Sequence, residues 1–173
     1  MSNCKNTEDG AKKDFKNIKS KTLSSDTKQY FENKIALAKV KVSIEQVKID
    51  LIIYKDKQKA ENDLNDASLY LSTVKNSTDD KFNTDISKLK ADLNDATQSV
   101  DQGYENTISK INGIEESLKA KIDDLDKTAH NEKSNFEDDH KRHYAELRAK
   151  EFILKAKLAA VSKDTYIIKR MNI

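Results

Sequence analysis

The stretch of this sequence whose residue types come closest to a chemical site lies between residues 137 and 143. Glu137 precedes His140 by three residues, and His143 follows three residues later. On a helix this spacing places the side chains near one face, as in carboxylate-bridged di-iron bundles. Such bundles need two Glu-x-x-His motifs and two further glutamates, and this chain has one motif with Lys141 and Arg142 beside it. Glu137, His140 and His143 are candidate metal ligands, and ordinary surface ion pairs are the favoured interpretation.

Three other kinds of chemistry are not supported by the sequence. Cys4 is the single cysteine, so no disulfide can form within the chain. No serine lies in a glycine-flanked elbow, and no glycine-rich loop could cradle a phosphate. A histidine in a packing seam would act as a pH-sensitive contact instead of a catalyst. The sequence therefore predicts a protein that is not an enzyme, with no cofactor and no small-molecule substrate.

Charge is unevenly distributed and suggests a second kind of site. Residues 76–139 contain sixteen acidic and eight basic side chains, whereas residues 140–173 contain nine basic and three acidic ones. The basic C-terminal segment could bind an anionic membrane surface, or it could pack against the acidic middle of the chain. Nucleic acid is not favoured, because few aromatic residues interleave the cations. The predicted anion-binding residues are Lys141, Arg142, Arg148, Lys150, Lys155 and Lys157.

The elements that must position these residues are helices. The chain of 173 residues has no proline and only three glycines, so the usual helix breakers are almost missing. Apolar residues recur in steps of three and four, which is the pattern of a coiled-coil seam. Apolar residues also flank the first part of this seam, which favours packing against two or more helices. The predicted seam consists of Leu37, Val40, Ile44, Val47, Leu51, Tyr54, Phe82, Ile86, Leu89 and Leu93.

Turn signals divide the chain into a tail and about three helices. Residues 1–24 are expected to form a polar tail or a short weak helix, and residues 25–173 a bundle with helices at 26–75, 78–131 and 135–170. Ser77 and Ser134 are the expected helix caps. The seam shifts by one residue after Lys55, which we interpret as a stutter within one helix. Gly103 and Gly113 are expected to be tolerated inside the second helix, and one continuous helix over 78–170 is the alternative.

The predicted fold is all-α: an elongated antiparallel helical bundle or coiled coil of about three long helices. No signal peptide or membrane-spanning stretch is recognisable, so the location is taken as cytoplasmic by default, with lipidation at Cys4 left open.

The predicted function is that of a structural or protein-interaction subunit that acts through helix–helix packing, as a scaffold, spacer or assembly component. Its expected partners are helices of a homo- or hetero-oligomer. The alternative is an amphipathic bundle that associates with lipid surfaces through its basic C-terminal helix. This alternative is similar in architecture alone to membrane-bending helical modules. A helical surface or toxin-like protein is a third possibility.

Overall fold

The computed structural model describes residues 25–128 and 135–171, and the regular elements within these ranges are all helical. The all-helical class predicted from composition is confirmed, but the count of three long helices is not. Five α-helices pack against one another, and a short π-helical segment extends the first of them. They are α1 (Ser25–Ile49), the π-helical segment (Asp50–Tyr54), α2 (Lys57–Ser72), α3 (Asp80–Ser99), α4 (Tyr104–Thr128) and α5 (Asn135–Met171).

The helix predicted over 26–75 is broken between α1 and α2. Lys55 has a left-handed backbone with φ 55°, and the amides of Lys55 and Asp56 both donate to the carbonyl oxygen of Asp50. Asp56 then caps α2, because its carboxylate accepts a hydrogen bond of 3.0 Å from the Lys59 amide. The shift of the seam after Lys55, interpreted from sequence as a stutter, is therefore a reversal of the chain.

The helix predicted over 78–131 consists of two helices, α3 and α4. Gly103 has φ 140°, a backbone conformation that residues with a Cβ atom rarely adopt, and it lies between the end of α3 at Ser99 and the start of α4 at Tyr104. The Ser99 hydroxyl donates to Thr107 Oγ1 at 3.0 Å across the break. The structure thus corrects the expectation that Gly103 is tolerated inside one long helix. Gly113, by contrast, does lie inside α4.

The cap of α3 differs from the one predicted from sequence, and two other predicted features lie outside the described residues. The α2–α3 connection includes residues 76–79, but the cap of α3 is Asp79, whose carboxylate accepts from the Lys81 amide at 2.9 Å. The predicted cap, Ser77, instead hydrogen-bonds through its backbone to the Asn83 side chain. The predicted cap Ser134 and the predicted tail 1–24 with Cys4 lie outside the described residues.

The first four helices pack as a ring in which α1 contacts α2, α2 contacts α3, α3 contacts α4, and α4 returns to α1. Short connections join consecutive helices of this ring, so neighbours run antiparallel. The fifth helix, α5, packs outside the ring along α1. It runs parallel to α1, because Phe31 lies next to His140 near the start of the contact and Glu45 lies near Lys155 further along.

The hydrophobic core lies inside this ring. From α5, the partly buried Tyr144 packs against this core. Burial of these apolar side chains is the dominant stabilising contribution to the ring. The core consists of Ala36, Leu37, Val40, Ile44, Val47, Leu51, Ala60, Leu64, Ala67, Leu71, Val74, Phe82, Ile86, Leu89, Leu93, Ala96, Val100, Ile111, Ile114, Leu118 and Ile122.

Helix α1 is covered on two sides, by the ring and by α5. Even Ala38 and Ile49, which lie outside the predicted seam, are buried. This arrangement explains the broad apolar face that the sequence shows around the seam. None of the described helices combines the length and the apolarity needed to cross a bilayer.

Candidate functional site

The predicted interaction seam lies in the core of the chain itself. Nine of its ten residues are buried, and the exception is Tyr54, which is 57% exposed. These side chains pack against other helices of the same chain, so they do not offer a surface to a second protein. Surfaces open to a second protein therefore lie on the outside of the ring and on α5.

One face of α5 is packed against the ring. Tyr144, Leu147 and Glu151 follow one another in steps of three and four residues, and Leu147 and Glu151 are buried. The Lys34 ammonium group lies 4.1 Å from the centre of the Tyr144 ring, a cation–π contact. This face thus joins α5 to α1 through a mixture of apolar and charged contacts.

A cluster of charged side chains lies between α1, α4 and α5. Glu151 of α5 pairs with Lys41 of α1 at 2.9 Å and with Lys155 of its own helix at 3.1 Å. Glu115 of α4 accepts a hydrogen bond of 2.5 Å from Lys155 and another from Lys48 of α1. The members of this charged cluster are Lys41, Glu45, Lys48, Glu115, Glu151 and Lys155.

Burial and pairing set the protonation of the charged cluster. Burial raises the pKa of Glu115, but hydrogen bonds from Lys155 and Lys48 outweigh it and bring the pKa to about 2. Burial likewise raises the pKa of Glu151, and its bonds with Lys41 and Lys155 reverse the direction. Burial also raises the pKa of Glu45, which remains raised because the Glu115 carboxyl lies beside it. The surroundings therefore favour the ionised form of Glu115 and Glu151, whereas those of Glu45 favour its neutral form.

The three glutamates of the charged cluster have the spacing of a metal site, since one oxygen from each lies within 4.8 Å of the others. The ammonium groups of Lys48 and Lys155 already contact these oxygens, so they occupy the space a cation would need. We therefore assign the charged cluster to the attachment of α5. The charged cluster was not predicted from the sequence, although Lys41, Glu45 and Lys48 are charged residues within the apolar part of α1.

The metal ligands predicted from sequence are not brought together as a site by the described residues. His140 is partly buried beside the Phe31 ring, with 5.6 Å between the ring centres, and His143 is exposed. The side chain of Glu137 lies outside the described residues.

The opposite face of α5 carries apolar side chains that the rest of the described chain leaves exposed. Phe152 is 59% exposed and Ile153 is 56% exposed. Exposed alanines continue this surface in both directions along the helix, in steps of mostly three and four residues. We call this surface the outer strip; it consists of Ala145, Ala149, Phe152, Ile153, Ala156, Ala159 and Ala160.

Basic residues lie along both edges of the outer strip. On one edge, Arg148 lies 5.2 Å from the centre of the Phe152 ring and 3.9 Å from Glu151. On the other edge, Lys150 and Lys157 are exposed. The predicted anion-binding set is therefore divided. Lys155 belongs to the charged cluster, Arg142 pairs with Asp139 at 2.7 Å, Lys141 is exposed near the start of the strip, and Arg148, Lys150 and Lys157 border the strip.

A pair of aspartates, also missed from sequence, lies where α1 ends. The Asp50 side chain is buried at 1% exposure, and one of its oxygens, Oδ1, accepts a hydrogen bond of 3.2 Å from Gln46. The other oxygen, Oδ2, has no hydrogen-bond donor. Asp63 of α2 faces Asp50, and burial together with that neighbour raises the pKa of Asp63 to about 7. No sequence signal points to this pair, because only the reversal at residues 55–56 brings its members together.

A cavity of about 640 Å³ lies at one end of the ring, between the start of α1, the α2–α3 connection and the end of α4. Its lining includes Tyr30, Phe82 and Lys121. Lys121 is paired with Asp85 and Asp124, which raises its pKa against the opposing effect of burial. The lining contains no histidine or cysteine, and we assign no chemistry to it.

No known protein family, no curated protein and no solved structure matches this chain.

Proposed function

We propose that this chain is a non-enzymatic interaction subunit that binds a partner helix along the outer strip of α5. The observation that carries the proposal is the exposure of Phe152 and Ile153, at 59% and 56%, on a helix whose other face is already packed. A surface helix of a globular protein usually has one apolar face. Exposed apolar side chains on a helix whose other face is already packed are therefore a candidate contact for a second protein.

The composition of the outer strip favours a helix over a membrane as its occupant. Alanines allow two helix backbones to approach closely, and Phe152 is large enough to act as a knob between the residues of a facing helix. The five alanines add little apolar surface, so insertion into a bilayer would gain little free energy. The spacing of Ala145, Ala149, Phe152 and Ala156, in steps of four, three and four, is that of a coiled-coil seam.

The basic residues beside the outer strip favour a partner helix with acidic side chains. Arg148 lies on one edge, and Lys150 and Lys157 lie on the other. A partner with glutamates or aspartates at the flanking positions of its seam would pair with them. A second copy of α5 in antiparallel orientation is less suitable, since its own basic edge would face Arg148.

The test uses a synthetic peptide of about four heptads, which is long enough to be helical. It has alanine and leucine at the seam positions and glutamate at the flanking positions. Fluorescence anisotropy of the labelled peptide is expected to rise with the wild-type chain. The double variant Phe152→Ser, Ile153→Ser should lose this binding. Leu69→Ser is the matched control, because Leu69 is an equally exposed apolar residue, at 62%, on α2.

Two further measurements separate the alternatives. A peptide with lysine in place of glutamate should not bind, because its charges repel those along the strip. Flotation with anionic vesicles tests the lipid alternative, for which the specific support is the basic residues on both edges. Binding to vesicles that depends on Phe152, without binding to the acidic peptide, would overturn the proposal in favour of a membrane surface.

A further inference from the structure

The oxygens of the Asp50–Asp63 pair need a positive charge between them. Asp50 is at 1% exposure and its Oδ2 atom has no donor. The Asp63 side chain lies within hydrogen-bonding reach of the Asp50 carboxylate. Two carboxylates both accept hydrogen bonds, so direct contact between them is repulsive unless a proton or a cation joins them. A buried acceptor left without any partner costs free energy and is rare in native proteins.

The residues around the Asp50–Asp63 pair favour a bound cation, unlike those around the charged cluster. Asp66 lies one helical turn beyond Asp63 and adds negative potential to the pair. The Lys59 ammonium group, whose charge lowers the pKa of Asp63, is 4.0 Å from Asp56 and lies over the Tyr54 ring. Among the described residues, no ion pair joins a lysine or arginine to the Asp50 or Asp63 carboxylate, in contrast to Glu115 and Glu151.

The backbone holds the first of these carboxylates in place. Asp50 is the first residue of the π-helical segment, and its carbonyl oxygen accepts from the amides of Lys55 and Asp56. Gln46, one turn earlier, orients the carboxylate through Oδ1 and leaves Oδ2 directed away from that bond. Short π-helical segments occur frequently at functional sites.

We propose that the Asp50–Asp63 pair is a binding site for a hard divalent cation, with Mg²⁺ as the natural occupant. Carboxylate oxygens are the ligands that such cations prefer. Two carboxylates, one of them that of the partly exposed Asp63, leave most coordination positions to water. This suits Mg²⁺, because it gives up its waters reluctantly. The site would connect α1 to α2 across the chain reversal. It is independent of the outer strip and does not rest on the proposed partner.

The test is titration of the full chain with Mn²⁺, a spectroscopic substitute for Mg²⁺, at pH 8. Electron paramagnetic resonance should show one bound ion that Mg²⁺ displaces. The Asp63→Asn variant, which keeps the shape of the side chain, should bind at least about tenfold more weakly. Asp123→Asn, the same change at an exposed position of α4, should bind like the wild type. Saturating Mg²⁺ should raise the melting temperature of the wild type by about 2 °C or more, and that of Asp63→Asn should not change.

A second measurement uses only the wild-type chain, so its result does not depend on whether a variant folds. Bound Mn²⁺ broadens nearby amide resonances, and the broadening should centre on residues 46–66. Broadening centred on α4 or on the charged cluster would overturn the assignment. Absence of specific Mn²⁺ binding, or equal binding by wild type and Asp63→Asn, would mean that a shared proton alone joins the two carboxyls.

Discussion

Lys41 of α1 and Glu151 of α5 form an ion pair of 2.9 Å in which the two side chains are only 6% and 5% exposed. This pair joins the outermost helix to the most buried one. An ion pair so well shielded from water differs from surface pairs, which contribute little to stability. Removing one partner leaves the other charge buried with less compensation.

The variant Lys41→Met is therefore expected to lose about 1.5–3 kcal/mol of unfolding free energy, because the buried Glu151 carboxylate loses its shortest ion pair. Its remaining partners are Lys155 and Arg148, whose side chains are 40% exposed. Urea unfolding followed by circular dichroism measures this loss. The double variant Lys41→Met, Glu151→Leu removes both charges and should recover most of the stability. A double variant no more stable than the single one would show that the ion pair is not what Lys41 contributes.

Acid should destabilise the attachment of α5 within a defined pH range. The pKa of Glu115 is about 2 in the folded chain, against an ordinary value of 4.5, so the folded state binds fewer protons than the unfolded state in this range. Its stabilising effect is present above about pH 4.5 and is lost as the pH falls towards 2. The lowered pKa of Glu151 acts in the same direction, whereas the raised pKa of Glu45 opposes it in part.

Urea unfolding at a series of pH values between 7 and about 2.5 tests this expectation. The Glu115→Gln variant should be less stable at neutral pH and should lose less stability on acidification. A wild-type chain whose stability is unchanged through this range would contradict the protonation assigned to the charged cluster.

The Asp50–Asp63 pair predicts the opposite pH dependence in the absence of divalent cations. The pKa of Asp63 is raised from 3.8 to about 7 by burial and by Asp50, so the folded state holds a proton that the unfolded state has lost. This contribution to stability is full below about pH 3.8 and is lost as the pH rises through 7. Asp63→Asn should gain about 1 kcal/mol at pH 8, a figure reduced for partial solvent exposure.

Thermal melts of Asp63→Asn and wild type in a chelating buffer, at pH 5 and pH 8, measure that gain. The difference between the two chains should be larger at pH 8, where Asp63 of the wild type is ionised. An equal difference at both pH values would show that the amide acts through its hydrogen bonds and not through removal of charge.

The two glycines of the ring provide a matched pair. Gly103→Ala is expected to lose about 1–3 kcal/mol, because alanine is strained at φ 140° although no atom lies within 4 Å of the added Cβ. Gly113→Ala adds a Cβ into equally open space inside α4, and should gain about 0.5–1 kcal/mol from helix propensity. Urea unfolding of both variants measures the difference. Equal effects of the two substitutions would contradict the backbone conformation at Gly103.

Much of the architecture was predictable because it depends on short-range patterns. The lack of proline and the steps of three and four residues predict helices, and they predict that Leu37, Ile44, Phe82 and Leu93 face a core. The same pattern could not reveal the breaks at Lys55 and Gly103. A seam that slips by one residue is compatible with a stutter or with a reversal, and a glycine is compatible with a helix or with its end.

What the sequence alone determined is that this chain forms amphipathic helices with an acidic middle and a basic end. Periodicity and composition act over a few residues, so they need no knowledge of the fold. Only the tertiary structure decided that the seam is used within the chain, that Glu151 meets Lys41, that Asp63 meets Asp50, and that Phe152 faces outwards. The first three of these relationships join residues distant in sequence, and the pattern of one helix does not itself specify which of its faces its own chain will cover.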